Sequence, residues 1–476
     1  MKPRLRIVLT NEIIFVISFF TFSMINWFGP VYGLNFLSYG FAAWAIFIFF
    51  SRIWLDRTRY LLHNIGGIVF AISYCVTVVL NRSFNDPLFQ MRTLAWIFIF
   101  FIVIFGSSQH FSSIFRLTKG VGLILQILTI FAGLIGLWMY YANVIPWLRL
   151  PNGSVALIGV INSRLFGIYT DPNFGALIGV LAIVYAMGFF LFDGRAGGQR
   201  VIAVISIVVN LLYIGLAYSR TGYISLVLAA IFLTISFAIR AWHKYRHAEK
   251  GKVRFYRWLF GRCILIVLIL VMVWKPIWNK ERAFSIANAV GLEWNYEDHH
   301  SSAKSLENTS EEEKIQDKSS DKVNFVNQDS RRNTISSSNE RVDLMKESIQ
   351  LWRFYPFFGV GDRNIQVAAM ELMPNSLLSL GKVPHNGYIF VLLSAGIVGT
   401  VFLLGWLLWL FLTWLYTLRR HKFNLRLWFH AIPVIICAVS ALFLQDLFLI
   451  MSPTALIFWL NLGICANLSS DMTIEL

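Results

Sequence analysis

Charge is scarce in this chain, and negative charge is scarcest. Asp and Glu number 25 against 41 Lys and Arg in 476 residues, and charged residues make up only 14% of the total. A soluble protein of this length covers its core with a charged surface, so the shortage excludes that class. Cysteine is sparse as well. Cys75, Cys263, Cys437 and Cys465 fall in or beside apolar runs without paired spacing, which indicates neither a disulfide framework nor a metal site. Also missing are a short-period internal repeat, a carboxylate pair of glycosidase type and the bases interleaved with aromatics that bind single-stranded nucleic acid.

What the chain has instead is apolar surface: 57% of residues are hydrophobic, with 42 Phe and 17 Trp. Apolar runs long enough to cross about 30 Å of hydrocarbon as helices recur along it. They predict spans near 7–29, 32–50, 61–80, 93–109, 120–143, 173–192, 201–217, 222–239, 262–277, 387–417, 428–446 and 449–467. The first run lacks a small-residue cleavage site and leads directly into the second, so it reads as a retained span and not a signal peptide. The fold class expected is an all-α polytopic membrane protein of about twelve transmembrane helices. Its domain organisation is nine helices over 1–277, a large extracytoplasmic loop over 278–385 and three helices over 386–476.

Alternate loops carry the bases: Lys2, Arg4 and Arg6; Arg52, Arg57 and Arg59; Arg116 and Lys119; Arg195 and Arg200; a cluster beyond Phe237; and another from Arg419. The positive-inside rule makes those loops and both termini cytoplasmic. Membrane orientation and attraction to anionic lipid then account for the net charge of +16, without nucleic acid as a partner. The opposite loops, beginning at about Asn81, Asn143, Tyr218 and Asn279, face outward.

The last of these is far longer than packed helices need. Its part at about 299–339 is polar, mixed in charge and too poor in apolar residues to fold alone, so a flexible insertion is expected. At about 340–384 the pattern changes. Val342, Met345, Ile349 and Trp352 recur at helical spacing, which predicts an amphipathic helix ended by Pro356 and a turn at Gly359 and Gly361. A second short helix is expected around 366–373, making a small helical cap over the outer face.

Ionisable residues predicted outward and near membrane level need a partner or a function. Arg164 precedes the sixth span in SRLFGIYTDPNFG. It reads either as an interface cation snorkelling to water or pairing with Asp171, or as part of an anion site with Asn173 near a helix start. Arg220 sits in the tight connection between the seventh and eighth spans, between Ser219 and Thr221. There its guanidinium suits phosphate oxygens, or it is simply a loop arginine in the headgroup layer. His385, followed by Asn386, stands at the mouth of the tenth span as a cap-region residue or a titratable catalytic group. Two cations and an imidazole on one face fit transfer from a phosphate-linked substrate.

These residues resemble those of the O-antigen ligase and O-antigen polymerase superfamily. The pattern His, Asn, nine residues, Gly, two residues, Gly is met by His385, Asn386, Gly396 and Gly399. The segment from Arg341 through Trp352 to PFFGVGDRN is similar to what precedes that signature in the family, and Arg164 with Gly175 looks like the arginine-and-glycine pattern of an outer loop. The insertion at about 299–339 departs from the ligases. The resemblance implies a glycosyltransferase in the inner membrane of a bacterium, acting on its outer side on glycans carried by undecaprenyl pyrophosphate, with no cofactor and no metal. It implies that Arg164 and Arg220 hold the donor pyrophosphate and that His385 assists the acceptor hydroxyl. Asn386, Asp171, Asn173, Arg341, Asp362 and Arg363 support the site; for Asp362 and Arg363, sugar binding and a solvated loop are both open readings. Membrane lipid and the glycan donor and acceptor are the expected partners, with a flippase and a chain-length regulator as candidate protein partners.

The leading function is a polysaccharide polymerase for capsule, exopolysaccharide or O-antigen. A ligase passing finished glycan to a terminal acceptor uses the same donor and is the first alternative. A flippase of the same lipid-linked saccharides is the second; the few charges expected inside the spans, chiefly Asp446, and the absence of a repeat fit it less well.

Overall fold

The computed structural model describes residues 3–27, 35–84, 87–107, 111–142, 147–149, 155–161, 164–169, 171–192, 197–245, 337–420 and 425–474. In chain order the helices are α1 (Pro3–Trp27), α2 (Asn35–His63), α3 (Ile65–Leu80), α4 (Pro87–Ile97), α5 (Phe111–Tyr141), α6 (Pro172–Phe192), α7 (Gly197–Ala217), α8 (Arg220–Tyr245), α9 (Ser337–Phe354), α10 (Ile365–Leu372), α11 (Gly387–Arg420), α12 (Leu425–Ser440) and α13 (Pro453–Ile474). Among them α1, α2, α5, α6, α7, α8 and α11 are long and apolar enough to cross a membrane. Shorter apolar helices are α3, α12, α13 and α4, which runs on as a π-helical segment Phe98–Ile104. The protein is thus a mostly helical, multi-pass membrane protein. The predicted spans fall on these eleven helices except 262–277, which lies outside the described residues. So does the predicted insertion at 299–339, apart from Ser337–Asn339, which open α9.

The core is organised around α6, whose sequence NFGALIGVLAIVYA is apolar on every side. Such a helix has no face for water, and it is buried almost throughout between α5, α7 and α8. An aromatic cluster joins other helices: Trp459 of α13 packs 4.0 Å from Phe101 and stacks at 5.5 Å on Trp406 of α11.

Three expectations are corrected. Arg52, Arg57 and Arg59 do not form an extended loop: they are helical, Arg52 before and Arg57 and Arg59 after a kink at Asp56 that divides α2 in two. Arg52 is fully buried, its Nε 3.6 Å from Glu12 Oε1 of α1 and its guanidinium 5.3 Å from the Tyr60 ring centre. Asp446 is therefore not the chief charge inside the apolar layers. A pair that neutralises itself escapes a hydropathy reading, and removing one partner strands the other at high cost.

Second, the connection between α5 and α6 is not all loop. Trp147–Arg149 (β1) pairs antiparallel with Val155–Leu157 (β2), and Gly159–Ile161 (β3) with Arg164–Gly167 (β4), with an irregularity at Gly159/Val160. Strands of three and four residues are too short to show an alternating pattern.

Third, α9 buries a different face from the one its spacing suggested. Leu344, Ser348 and Leu351 are inward, whereas Val342, Met345 and Ile349 are exposed; of the expected stripe, Trp352 packs against the core. Both sets have helical spacing, so periodicity alone could not choose between them.

Candidate functional site

The signature glycines explain how His385 is carried. Helix α11 is broken at Gly396, which has φ 65° and ψ −171°, a conformation open essentially to glycine alone. The break releases backbone groups, and the segment 356–361 takes them up. Val360 and Gly361 donate N–H bonds to the carbonyls of Leu393 and Ser394 at 3.0 and 2.9 Å, and Ile397 and Val398 donate to those of Pro356 and Phe357 at 2.8 and 3.0 Å. The two chains meet backbone to backbone. A Cβ at Gly396 would lie 2.3 Å from Phe357 O, and one at Gly359, itself at φ 67°, would lie 2.6 Å from Gly396 N. Gly399 lies against Ser73 and Phe70 of α3.

At the other end of that half-helix, Asn386 Oδ1 accepts the N–H groups of Tyr388 and Ile389 at 3.0 and 3.1 Å, so Asn386 is the cap of α11. Its Nδ2 donates to Leu442 O at 3.2 Å, and Gly387 N donates to Ala441 O at 2.7 Å. His385 is half-buried, one residue before a start that is tied on both sides.

Arg164 lies on β4, half-buried, 6.0 Å from the Phe166 ring centre, and its Nε donates to Ala217 O at 3.1 Å. That carbonyl ends α7. The chain then reverses through Tyr218, which takes a positive φ of 48°, and Ser219, so that Arg220 opens α8 and is exposed. Arg164 is thereby fastened three residues from Arg220. The Ser219 hydroxyl does not flank Arg220 as an anion ligand: it is buried, donates to Asn173 Oδ1 at 2.8 Å and accepts from Gly222 N at 3.0 Å.

Asp171 and Asn173 build the start of α6. Asp171 Oδ1 accepts Asn173 N at 2.8 Å, and its main-chain oxygen accepts Gly175 N at 3.1 Å. The expected anion site at this helix start therefore already holds a carboxylate of the chain itself, and Asn173 is a buried link to the α7–α8 turn. Arg341 sits half-buried early in α9.

Asp362 is not a solvated residue, although Arg363 beside it keeps a third of its side chain exposed. The Asp362 side chain is buried and accepts from Tyr74 Oη at 2.7 Å and Thr93 Oγ1 at 2.9 Å, with Arg363 Nε at 3.3 Å. Burial raises its pKa above the usual carboxylate value, against the opposing pull of Arg363, Tyr74 and Thr93. This residue pins the segment after the glycine turn to α3 and α4. Asp362→Ala leaves two buried hydroxyls without their acceptor, so a loss of about 2–5 kcal/mol is expected. A lowered thermal unfolding temperature of the detergent-purified protein checks this; an unchanged one contradicts it.

Asp446, expected near the end of a span, lies in the connection between α12 and α13. Buried, it accepts from Thr454 Oγ1 at 2.5 Å, while its carbonyl accepts from Ser452 Oγ at the same distance. Burial lifts its pKa to about 6; the Thr454 hydroxyl pulls it down, and the Asp171 charge pushes it further up. The same connection reaches the α6 start through Trp27 of α1, since Met451 O accepts Trp27 Nε1 at 2.7 Å and Trp27 stacks 4.1 Å from Phe174. Because the folded-state pKa is raised, the folded protein binds the extra proton between about 4 and 6. Stability is expected to fall as pH rises through that window and to level off above it. Asp446→Asn should flatten this dependence, read as unfolding temperature against pH; an equal slope in the variant contradicts it.

One thread of contacts thus runs along a single end of the helices: the α11 start on Ala441, Met451 on Trp27 and Trp27 on Phe174, Asn173 on Ser219, and Arg164 on Ala217, three residues before Arg220. Of the residues at this end, Asp446 was misplaced by sequence, because the run around it reads as the end of an apolar span.

The family model described as O-antigen ligase matches residues 203–404. Arg220, Arg341, Asp362, His385 and both signature glycines lie within that span, and Arg164, Asp171 and Asn173 precede it. Comparison with curated proteins gave no match.

Proposed function

We propose that this chain, which residues 203–404 make a member of the O-antigen ligase and polymerase superfamily, is a polysaccharide polymerase joining undecaprenyl-pyrophosphate-linked repeat units on the outer face of the bacterial cytoplasmic membrane. The observation that carries the reading is the placement of Arg164, Arg220 and His385 at one end of the helices, with Arg164 bonded to the carbonyl that ends α7.

In the reaction, an acceptor hydroxyl oxygen attacks the anomeric carbon of the donor glycan as its bond to the pyrophosphate oxygen breaks. The lipid pyrophosphate leaves with the electron pair. Pyrophosphate is already a good leaving group, so the protein mainly neutralises its developing charge and positions the acceptor. Arg164 and Arg220 supply the positive charge as guanidinium forks matched to phosphate oxygens. His385 receives or orients the proton of the acceptor hydroxyl. With two arginines serving the leaving group, chelators are expected to leave the transfer rate unchanged; a rate lost with chelator and restored by a divalent cation contradicts this assignment.

Polymerase and ligase differ only in acceptor. Purified protein given one synthetic lipid-linked repeat unit and no other acceptor should yield a ladder of longer lipid-linked products by mass analysis. Transfer that needs a separate terminal acceptor would replace polymerase by ligase.

A further inference from the structure

At the opposite end of the helices from this site lies a cavity of about 150 Å³, formed by the first half of α5, the last turns of α6, and the starts of α7 and α12. Its walls are largely apolar, Phe189 among them, and one is fixed by a buried chain of hydrogen bonds: His430 Nδ1 to Asn461 Oδ1 at 2.8 Å, and Asn461 Nδ2 to Tyr185 Oη at 2.8 Å. Two buried polar atoms on the lining, Thr118 Oγ1 and Gln199 Oε1, have no hydrogen-bond partner among the described residues. Exposed Lys119 and Arg426 also line the cavity, placing positive charge where it opens to the surface. This is the base-rich end, with Arg116 and Arg200 exposed on the same helices.

Apolar walls with two cations on the lining describe a receptor for a molecule with a hydrocarbon body and an anionic head. The Thr118 hydroxyl can donate to an ester oxygen and Gln199 Oε1 can accept from a head-group hydroxyl such as that of phosphatidylglycerol, groups that a glycerophospholipid provides and a bare polyprenyl chain does not. We infer that this cavity is a binding site for an anionic glycerophospholipid, with the phosphate at Lys119 and Arg426, an ester oxygen at the Thr118 hydroxyl, a head-group hydroxyl at Gln199 Oε1, and the start of one acyl chain against Phe189. The site does not depend on the transfer reaction and lies apart from its residues. Bound there, the lipid clamps α5, α6, α7 and α12 together at their base-rich end.

The test uses the full chain in nanodiscs of equal phosphatidylglycerol and phosphatidylcholine, extracted gently and examined by native mass spectrometry. The wild type should retain phosphatidylglycerol over phosphatidylcholine by about thirtyfold, the scale of two lysine or arginine contacts at a membrane surface. The double variant Lys119→Gln/Arg426→Gln, altered only at exposed positions, should retain both lipids equally. Equal retention by the wild type overturns the inference, as does a preference the double variant keeps. Displacement of phosphatidylglycerol by equimolar undecaprenyl phosphate also overturns it, because the occupant is then the glycan carrier.

Discussion

Replacing His385 by alanine is expected to slow glycan transfer by about 10²- to 10⁴-fold, the range for loss of a positioned acid–base group, without lowering the unfolding temperature. The second half of that expectation follows from the local structure. Asn386, not His385, caps α11 and bonds to Leu442, and Gly387 bonds to Ala441, so the helix start survives loss of the imidazole. Initial rates of product formation, measured with an unfolding curve on the same preparation, check both halves. An unchanged rate removes His385 from the site; a slow rate with a lowered unfolding temperature assigns it to structure instead. Arg220 supplies a sharper comparison. It is exposed at the first position of α8, so Arg220→Lys should keep the fold and recover only part of the activity, since an ammonium lacks the two-pronged geometry for phosphate.

The second large effect is structural and falls at Gly396. Alanine there must adopt φ 65° and ψ −171°, which costs about 1–3 kcal/mol for a residue with a side chain. Its Cβ would also meet Phe357 O at 2.3 Å, and backing away breaks the four backbone bonds between 356–361 and α11. A total loss of roughly 3 kcal/mol or more is expected, seen as a large fall in unfolding temperature or in the yield of monodisperse protein. Gly405, farther along α11, is the control: a Cβ there meets nothing within 4 Å. Gly405→Ala should be neutral or mildly stabilising, because alanine is the better helix former. If both substitutions behave alike, the interlock does not hold the helix.

The contrast between these glycines marks what a sequence can convey. His385, Asn386, Gly396 and Gly399 were recognisable as a pattern, yet the pattern carries no hint that Gly396 breaks a helix or that Gly359 docks on the break, since both requirements come from a segment more than thirty residues upstream. Long apolar runs located the helices well, because burial in hydrocarbon leaves a composition that no other environment produces. Charges that satisfy one another left no such mark. Glu12 and Arg52 sit in different helices and become a buried pair only in three dimensions. Asp362 looked solvated beside a glycine turn, and Tyr74 and Thr93, its hydroxyl donors, lie far away in the chain. The buried face of α9 was ambiguous for a related reason: its sequence offers two apolar stripes, and only the packing of Leu344 and Leu351 chooses between them.

The activity proposed for the chain is the making of glycosidic bonds, not the movement of unchanged saccharides. It is tested most directly by reconstituting purified protein into sealed vesicles carrying a labelled undecaprenyl-pyrophosphate oligosaccharide, then following both the mass and the sidedness of the label. Products heavier by whole repeat units are expected. Label that crosses the bilayer with its mass unaltered, and never lengthens, would contradict that activity and identify a transporter.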